Sequence, residues 1–94
     1  MYRLGKSFRS EKVTLRALWT GGPASRFGFT ASRTLGGAVV RNRVKRRLRE
    51  IVGALPVAKG WDIVLSARTQ AVGAEYGSLA SSDEALMRKA GVLE

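Results

Sequence analysis

The sequence contains neither cysteine nor histidine among its 94 residues. Without cysteine there can be no disulfide framework and no thiolate metal site, and without histidine the commonest proton carrier and zinc ligand is missing. These absences exclude most familiar enzyme designs. No run approaches the roughly eighteen consecutive apolar residues of a membrane helix, and the first ten residues lack the apolar block of a signal peptide. We therefore expect a cytoplasmic protein with no membrane partner.

Acidic residues are absent from one long stretch of the chain. Between Glu11 and Glu50 there is no Asp or Glu, whereas ten Lys and Arg residues lie in that interval, and the whole chain carries a net charge of +10. A block of one sign usually indicates an anionic partner, so we expect nucleic acid to bind within the first fifty residues. An anionic membrane surface is the main alternative, but a helix at a membrane surface would expose bulky apolar residues, whereas those of the basic helix are expected to pack on the sheet. Improved solubility is a further alternative.

Two segments show the alternation of a strand that is buried on one face. These are residues 12–20, with Val13, Leu15, Ala17 and Trp19 on one side, and residues 26–33, with Phe27, Phe29 and Ala31 on one side. Gly21, Gly22 and Pro23 separate the two segments. This order predicts an antiparallel hairpin or meander.

The second half of the sequence predicts a helix, a strand and a further helix. The pattern of residues 39–55 is compatible only with a helix, which ends before Pro56 and Gly60. The short, largely apolar segment 61–68 predicts a central strand. This helix and strand, together with the preceding strand, predict a βαβ unit. Residues 76–90 have apolar side chains near helical spacing, with Gly91 as the stop. The chain length suits one domain over residues 1–94.

The helix over residues 39–55 has two different sides. On a 3.6-residue period one narrow arc packs against the sheet, and it contains Val40, Val44, Leu48 and Ile51. The opposite side carries Asn42, Lys45, Arg46 and Arg49, while Arg43 and Arg47 flank the apolar arc. Six cationic residues within positions 41–49 repel one another, and a phosphate backbone offsets that repulsion.

Arginine predominates over lysine in this helix, and guanidinium groups bind phosphate in bidentate fashion or stack on unpaired bases. Because a helix cannot enter the deep A-form major groove, we expect irregular folded RNA as the partner. A protein whose helix binds in the major groove of DNA remains an alternative interpretation. Asn42 is interpreted as a polar contact to RNA, or alternatively as a helix-start residue without a special role.

Residues 28–51 of the chain read GFTASRTLGGAVVRNRVKRRLREI. This segment, supported by GKSFRS upstream and WDIVLSAR downstream, closely resembles the signature of the protein subunit of bacterial ribonuclease P. The resemblance implies a two-layer α/β (α+β) sandwich. Its small mixed sheet would contain a left-handed βαβ crossover, as in the second domain of ribosomal protein S5, against the usual right-handed rule.

The resemblance also implies a function. In that family a large RNA removes the 5′ leader from precursor tRNA using Mg²⁺, and the protein, inactive by itself, assists leader binding, metal affinity and assembly. No residue of this chain would then be catalytic or hold the metal. The matching positions that would contact the catalytic RNA are Arg41, Asn42, Arg43, Lys45, Arg46 and Arg49. Those that would line the cleft for the precursor-tRNA leader are Tyr2, Arg16, Thr30 and Ser32.

Two of the cleft positions carry particular expectations. Tyr2 could stack on a leader base, or it could belong to a frayed terminus, and Arg16 adds charge where family members often have an aromatic residue. Family members usually begin with fifteen or more further residues that form a helix, of which this chain would retain only the last turn. If nothing replaces that helix, the cleft has one wall and the exposed sheet face invites self-association.

Two other classes of function compete with this interpretation. In a stand-alone nuclease, Asp62, Glu50 or Asp83 would hold the metal directly, but these carboxylates are scattered singly and Asp62 reads as a strand-start residue. A ribosomal or general nucleic-acid-binding protein would share the charge. It would not need the Arg-Asn-Arg arrangement in this setting.

Overall fold

The computed structural model of the protein describes residues 5–94, which form a sheet covered on one face by helices. The strands are β1 (Gly5–Arg9), β2 (Val13–Trp19), β3 (Arg26–Ala31) and β4 (Trp61–Ala67). The helices are α1 (Ala38–Gly53), α2 (Thr69–Val72) and α3 (Tyr76–Ala90), and a single 3-10 turn spans Arg33–Leu35. The predicted α/β architecture is confirmed, although β1, the 3-10 turn and α2 were not predicted. No helix in residues 5–94 is long and apolar enough to cross a membrane.

The sheet order is β1-β2-β4-β3, with β3 parallel to β4 and the other neighbours antiparallel. The predicted βαβ unit is therefore present as β3-α1-β4. The predicted hairpin between residues 12–20 and 26–33 is wrong, because β4 lies between β2 and β3. The link between them passes the start of β4, where the backbone N–H groups of Thr20 and Gly21 donate to the carbonyl of Gly60 at 2.7 and 3.2 Å. Ser25 also fastens the link, since its hydroxyl donates to the carbonyl of Ala58 at 2.6 Å.

The core lies between one face of the sheet and the helices. Strand register places alternate residues of β2 and β4 on this face, and Leu15, paired with Leu65, is fully buried with it. Helix α1 packs over β3 and β4, and α3 packs over β1 and β2. Of the predicted arc of α1, Val44, Leu48 and Ile51 are buried, whereas Val40 is half-buried at the helix start.

Trp19 departs from the predicted alternation. It was predicted on the buried face, but it ends β2 and 47% of it is exposed. Its ring meets that of Trp61 edge to face, with the ring centres 5.2 Å apart. Gly60 has φ +92°, and a Cβ there would lie 2.6 Å from the Trp19 ring, so this turn requires glycine.

Candidate nucleic-acid interface

The start of α1 is fixed by the turn that precedes it. Ser32 caps the 3-10 turn, since its hydroxyl accepts a hydrogen bond from the Thr34 N–H at 3.1 Å, and Leu35 is buried beneath the turn. Gly36 then adopts φ +139°, and Gly37 is the N-cap of α1. A Cβ on Gly36 would lie 3.2 Å from Val40. This turn therefore favours glycine at position 36, where φ is positive and Val40 leaves little room for a side chain.

One exposed side of α1 carries most of the cationic residues of the helix, and we name it the outer helix face. It is lined by Val39, Asn42, Arg43, Lys45, Arg46 and Arg49. Five of the six residues predicted to contact RNA are thus brought together on one surface. None of the four cations forms an ion pair with a carboxylate of residues 5–94. Their charge is therefore available to an anionic partner.

Asn42 lies within the outer helix face and one turn inside the helix. The helix begins at Ala38 with Gly37 as its cap, and Asn42 makes no capping contact there. Because Asn has a lower helix propensity than Ala, the helix gains nothing from this residue type at an exposed interior position. The helix-start interpretation of Asn42 therefore does not describe its place in the fold.

Arg41 and Arg47 do not line the outer helix face. Arg41 is half-buried, and its Nε is shielded from solvent without a hydrogen-bond partner in the described part of the chain. Arg47 reaches across the helical layer, where its guanidinium donates to the carbonyl of Ala74 at 3.3 Å. Arg41 lies one turn before Lys45, so it extends the basic surface toward the helix start.

Arg49 connects the outer helix face to the sheet. Its guanidinium carbon lies 5.6 Å from the ring centre of Phe29, which is the geometry of a cation–π contact. This contact is worth about 0.5–1 kcal/mol at an exposed site, enough to favour one direction of a long side chain. Arg49 is thereby held over the junction between α1 and β3.

The face of the sheet opposite the helices is open and carries two of the predicted leader positions. Val64 of β4 pairs with Arg16 of β2 on one side and with Gly28 of β3 on the other. Because alternate residues of a strand share a face, Thr30 lies on the same open face as Gly28 and Arg16. From strand spacing and rise the Cα atoms of Arg16 and Thr30 are roughly 12 Å apart. The Thr30 hydroxyl donates to that of Ser66 at 2.8 Å.

Ser32 and Tyr2 are the other two predicted leader positions. Ser32 follows the end of β3, exposed, with its hydroxyl engaged in the capping contact. Tyr2 lies outside the described residues.

The open face also contains a charge pair that the sequence did not reveal. Arg26 donates two hydrogen bonds to the carboxylate of Asp62, from Nε at 3.1 Å and from Nη2 at 2.8 Å. These bonds hold the pKa of the Asp62 carboxyl below its ordinary value. The two residues align in the parallel β3-β4 pair, which explains why residues 36 positions apart meet.

The three carboxylates considered as metal ligands of a stand-alone nuclease lie in different places. Asp62 is paired on the open face, Glu50 is exposed on α1, and Asp83 is buried in α3. Within residues 5–94 no group of three or more acidic side chains could hold a metal ion.

The burial of Asp83 was not predicted from the sequence. It is fully buried, and neither of its carboxylate oxygens has a hydrogen-bond partner within residues 5–94. Burial raises the pKa of its carboxyl to about 7. Its position one turn from both Leu79 and Met87, on the apolar stripe of α3, is the signal that could have located it.

Comparison with known proteins gives one consistent result. A family model described as Ribonuclease P matches residues 1–91. The chain is 40% identical to the ribonuclease P protein component of Symbiobacterium thermophilum, over 100% of this chain and 84% of the relative. It is 38% identical to that of Roseiflexus castenholzii, over 98% of this chain and 78% of the relative.

Solved structures agree with the sequence comparison. The RNase P protein of Staphylococcus aureus is similar with a TM-score of 0.84 at 27% identity, covering 96% of this chain and 84% of that one. The RNase P protein of Thermotoga maritima is similar with a TM-score of 0.76 at 30% identity, covering 89% and 83% of the two chains. Both similarities extend over the sheet and the helices together.

Proposed function

This chain belongs to the ribonuclease P protein family, and on that premise we propose that it is the RNA-binding subunit that assists a catalytic RNA in removing the 5′ leader from precursor tRNA. The observation that carries the proposal is the outer helix face. Four cations and an amide share one exposed surface there, and no carboxylate of residues 5–94 neutralises them.

The outer helix face suits an irregular RNA surface. Its cations are spread over two turns of a convex helix, which meets phosphates on the outside of a folded RNA and does not fit into an A-form groove. Each cation that neutralises a phosphate releases condensed counterions, so binding should weaken steeply as salt rises. Arg41, at the start of the same helix, completes the proposed contact to the catalytic RNA.

We propose the open sheet face as the surface for the leader. Arg16 supplies a cation, Thr30 supplies a hydroxyl, and the exposed side chains of Leu18 and Val64 supply apolar contact for bases. Tyr2 and Ser32 stay predictions as leader contacts. Self-association through this face also stays a prediction, and sedimentation at high protein concentration tests it.

We propose that Mg²⁺ is bound mainly by the RNA. The described residues offer no group of three carboxylates that could hold a metal ion, and the carboxylate of Asp62 is paired with Arg26. The protein would thus act through electrostatics and positioning, and the hydrolysis would belong to the RNA. A cytoplasmic location follows from this partnership and stays a prediction.

A three-arm cleavage assay tests the proposal. Precursor tRNA is incubated at low Mg²⁺ with a bacterial ribonuclease P RNA, with the protein, and with both. We expect faster cleavage by the mixture than by the RNA, and no cleavage by the protein alone. Cleavage by the protein alone would favour the nuclease alternative, and a mixture no faster than the RNA would contradict the proposal.

A further inference from the structure

An apolar groove lies at the free edge of the sheet, on the same side as the helices. β3 is an edge strand, and α1 ends at Gly53 before it covers the first residues of β3. Phe27 and Ile63 align and share one face, yet Ile63 is buried whereas 40% of Phe27 is exposed. The apolar wall of this edge groove consists of Phe27, Phe29, Val52, Leu55 and Val57.

The rim of the edge groove is basic. Arg49 and Lys59 line it, and no Asp or Glu does. Arg49 also lines the outer helix face, so the two surfaces are continuous through one side chain. An apolar aromatic wall under a cationic rim suits a ligand that has a flat apolar part and an anionic part.

We propose that the edge groove binds an unpaired nucleobase of the RNA that lies on the outer helix face. The base stacks on the exposed ring of Phe27, and Arg49 and Lys59 contact the adjoining phosphates. The outward backbone N–H and C=O groups of β3, which no strand of the described residues pairs, supply hydrogen bonds to the edge of the base. This inference rests on the proposed function and adds a non-electrostatic contact to it.

The charges around the edge groove favour RNA over a second copy of the chain. Two copies that met edge to edge would each bring Arg49 and Lys59 to the contact, and each carries a net charge of +10. Such an approach concentrates like charges, whereas a nucleotide neutralises them. The edge strand β3 has only six residues, Arg26–Ala31. So short a strand offers few backbone hydrogen bonds to a strand of a second copy.

Binding of a bacterial ribonuclease P RNA across a range of salt concentrations tests the inference. Phe27→Ala should weaken binding by roughly five- to hundredfold, since base stacking on an aromatic ring is sequence-tolerant and strong. The slope of log K against log salt should stay unchanged, because no phosphate contact is lost. Phe27→Tyr should bind like the wild type, and Phe27→Leu, which stays apolar but has no π-face, should behave like Phe27→Ala.

Two further variants make the result specific. Tyr76→Ala removes an aromatic residue of similar exposure, 45%, at the start of α3 and away from the groove, and should bind RNA normally. Arg46→Ala should lower the salt slope. Thermal unfolding followed by circular dichroism confirms that each variant is folded before it is compared.

The outcomes separate the edge groove from the outer helix face. Normal RNA binding by Phe27→Ala, with weakened binding by Arg46→Ala, overturns the groove and leaves the proposed function intact. Failure of the wild type to bind the RNA overturns both. A change in the sedimentation of Phe27→Ala without a change in RNA binding identifies the groove as a protein interface and overturns its assignment to a base.

Discussion

The guanidinium of Arg26 donates both of its hydrogen bonds to the single carboxylate of Asp62, across the parallel β3-β4 pair. The pair stands on the open sheet face, where we place the precursor-tRNA leader. It removes the repulsion that Asp62 would otherwise exert on phosphates. The Arg26–Asp62 pair is therefore an electrostatic feature of the proposed leader surface and contributes little to the fold, since exposed ion pairs add little to stability.

Replacing Arg26 by Ala should affect the leader more than the fold. The hydrogen bonds that lower the pKa of Asp62 would be lost, so the Asp62 pKa should rise toward its ordinary value, which NMR titration measures. At neutral pH Asp62 would remain charged and unpaired, and the holoenzyme should bind precursor tRNA with a long leader more weakly. Asp62→Asn in the Arg26→Ala background should restore binding. An unchanged affinity in Arg26→Ala would place the leader elsewhere.

Asp83 should make the stability of the protein fall as pH rises. Its pKa is raised from 3.8 to about 7 in the folded protein, so the folded state holds a proton that the unfolded state releases. The stabilisation is complete below pH 4, declines as pH rises and is lost above pH 7. From pH 5 to pH 8.5 this group alone should lower the free energy of unfolding by about 3 kcal/mol.

Asp83→Asn is the matched test of that prediction, because the amide has the shape of the acid and no charge. Urea unfolding at both pH values measures the effect. The variant should exceed the wild type in stability at both pH values, and the difference should be about 3 kcal/mol larger at pH 8.5 than at pH 5. Parallel pH profiles for the two proteins would show that Asp83 is not the responsible group.

Arg46→Ala should weaken binding to the catalytic RNA and lower the salt slope. One lost phosphate contact corresponds to a decrease of about 0.7–0.9 in the slope of log K against log salt. Lys89→Ala is the control, since it removes the same charge from an exposed position near the end of α3. Equal slopes for the two variants would mean that only net charge matters and that the outer helix face is not the contact.

Asn42→Ala should change stability and RNA binding in opposite directions. Ala exceeds Asn in helix propensity by up to about 0.7 kcal/mol, so the variant should unfold at a slightly higher temperature. Binding should weaken because the amide of Asn42 is lost from the outer helix face, while the salt slope stays constant. Normal binding by a stabilised Asn42→Ala would leave this residue without a role in RNA contact.

Helix α1 could be predicted closely from the sequence. Its apolar residues repeat with a 3.6-residue period and Pro56 follows it, and the observed helix begins one residue earlier and ends two residues earlier than predicted. The outer helix face followed from the same period, because the side that is not buried must face solvent. The place of Arg41 did not follow from this period, because Arg41 is half-buried and does not line the outer helix face.

The strand order could not be predicted in this way. Alternation identifies β2 and β3, but it does not say whether another strand enters between them. The link between β2 and β3 is held beside β4 by hydrogen bonds to the carbonyls of Ala58 and Gly60, which are distant in sequence from their donors. The exposure of Phe27 escaped prediction for a similar reason, because it depends on where α1 ends above β3.

The Mg²⁺ dependence of precursor-tRNA cleavage by a bacterial ribonuclease P RNA tests whether the outer helix face binds the catalytic RNA. The RNA is assayed alone, with the wild-type protein, and with a variant in which Arg43, Lys45, Arg46 and Arg49 are all replaced by Gln. We expect the wild type to lower the Mg²⁺ concentration needed for cleavage, and the folded variant at the same concentration to leave it near that of the RNA alone. Equal stimulation by the two proteins would contradict the assignment of the outer helix face as the surface that binds the catalytic RNA.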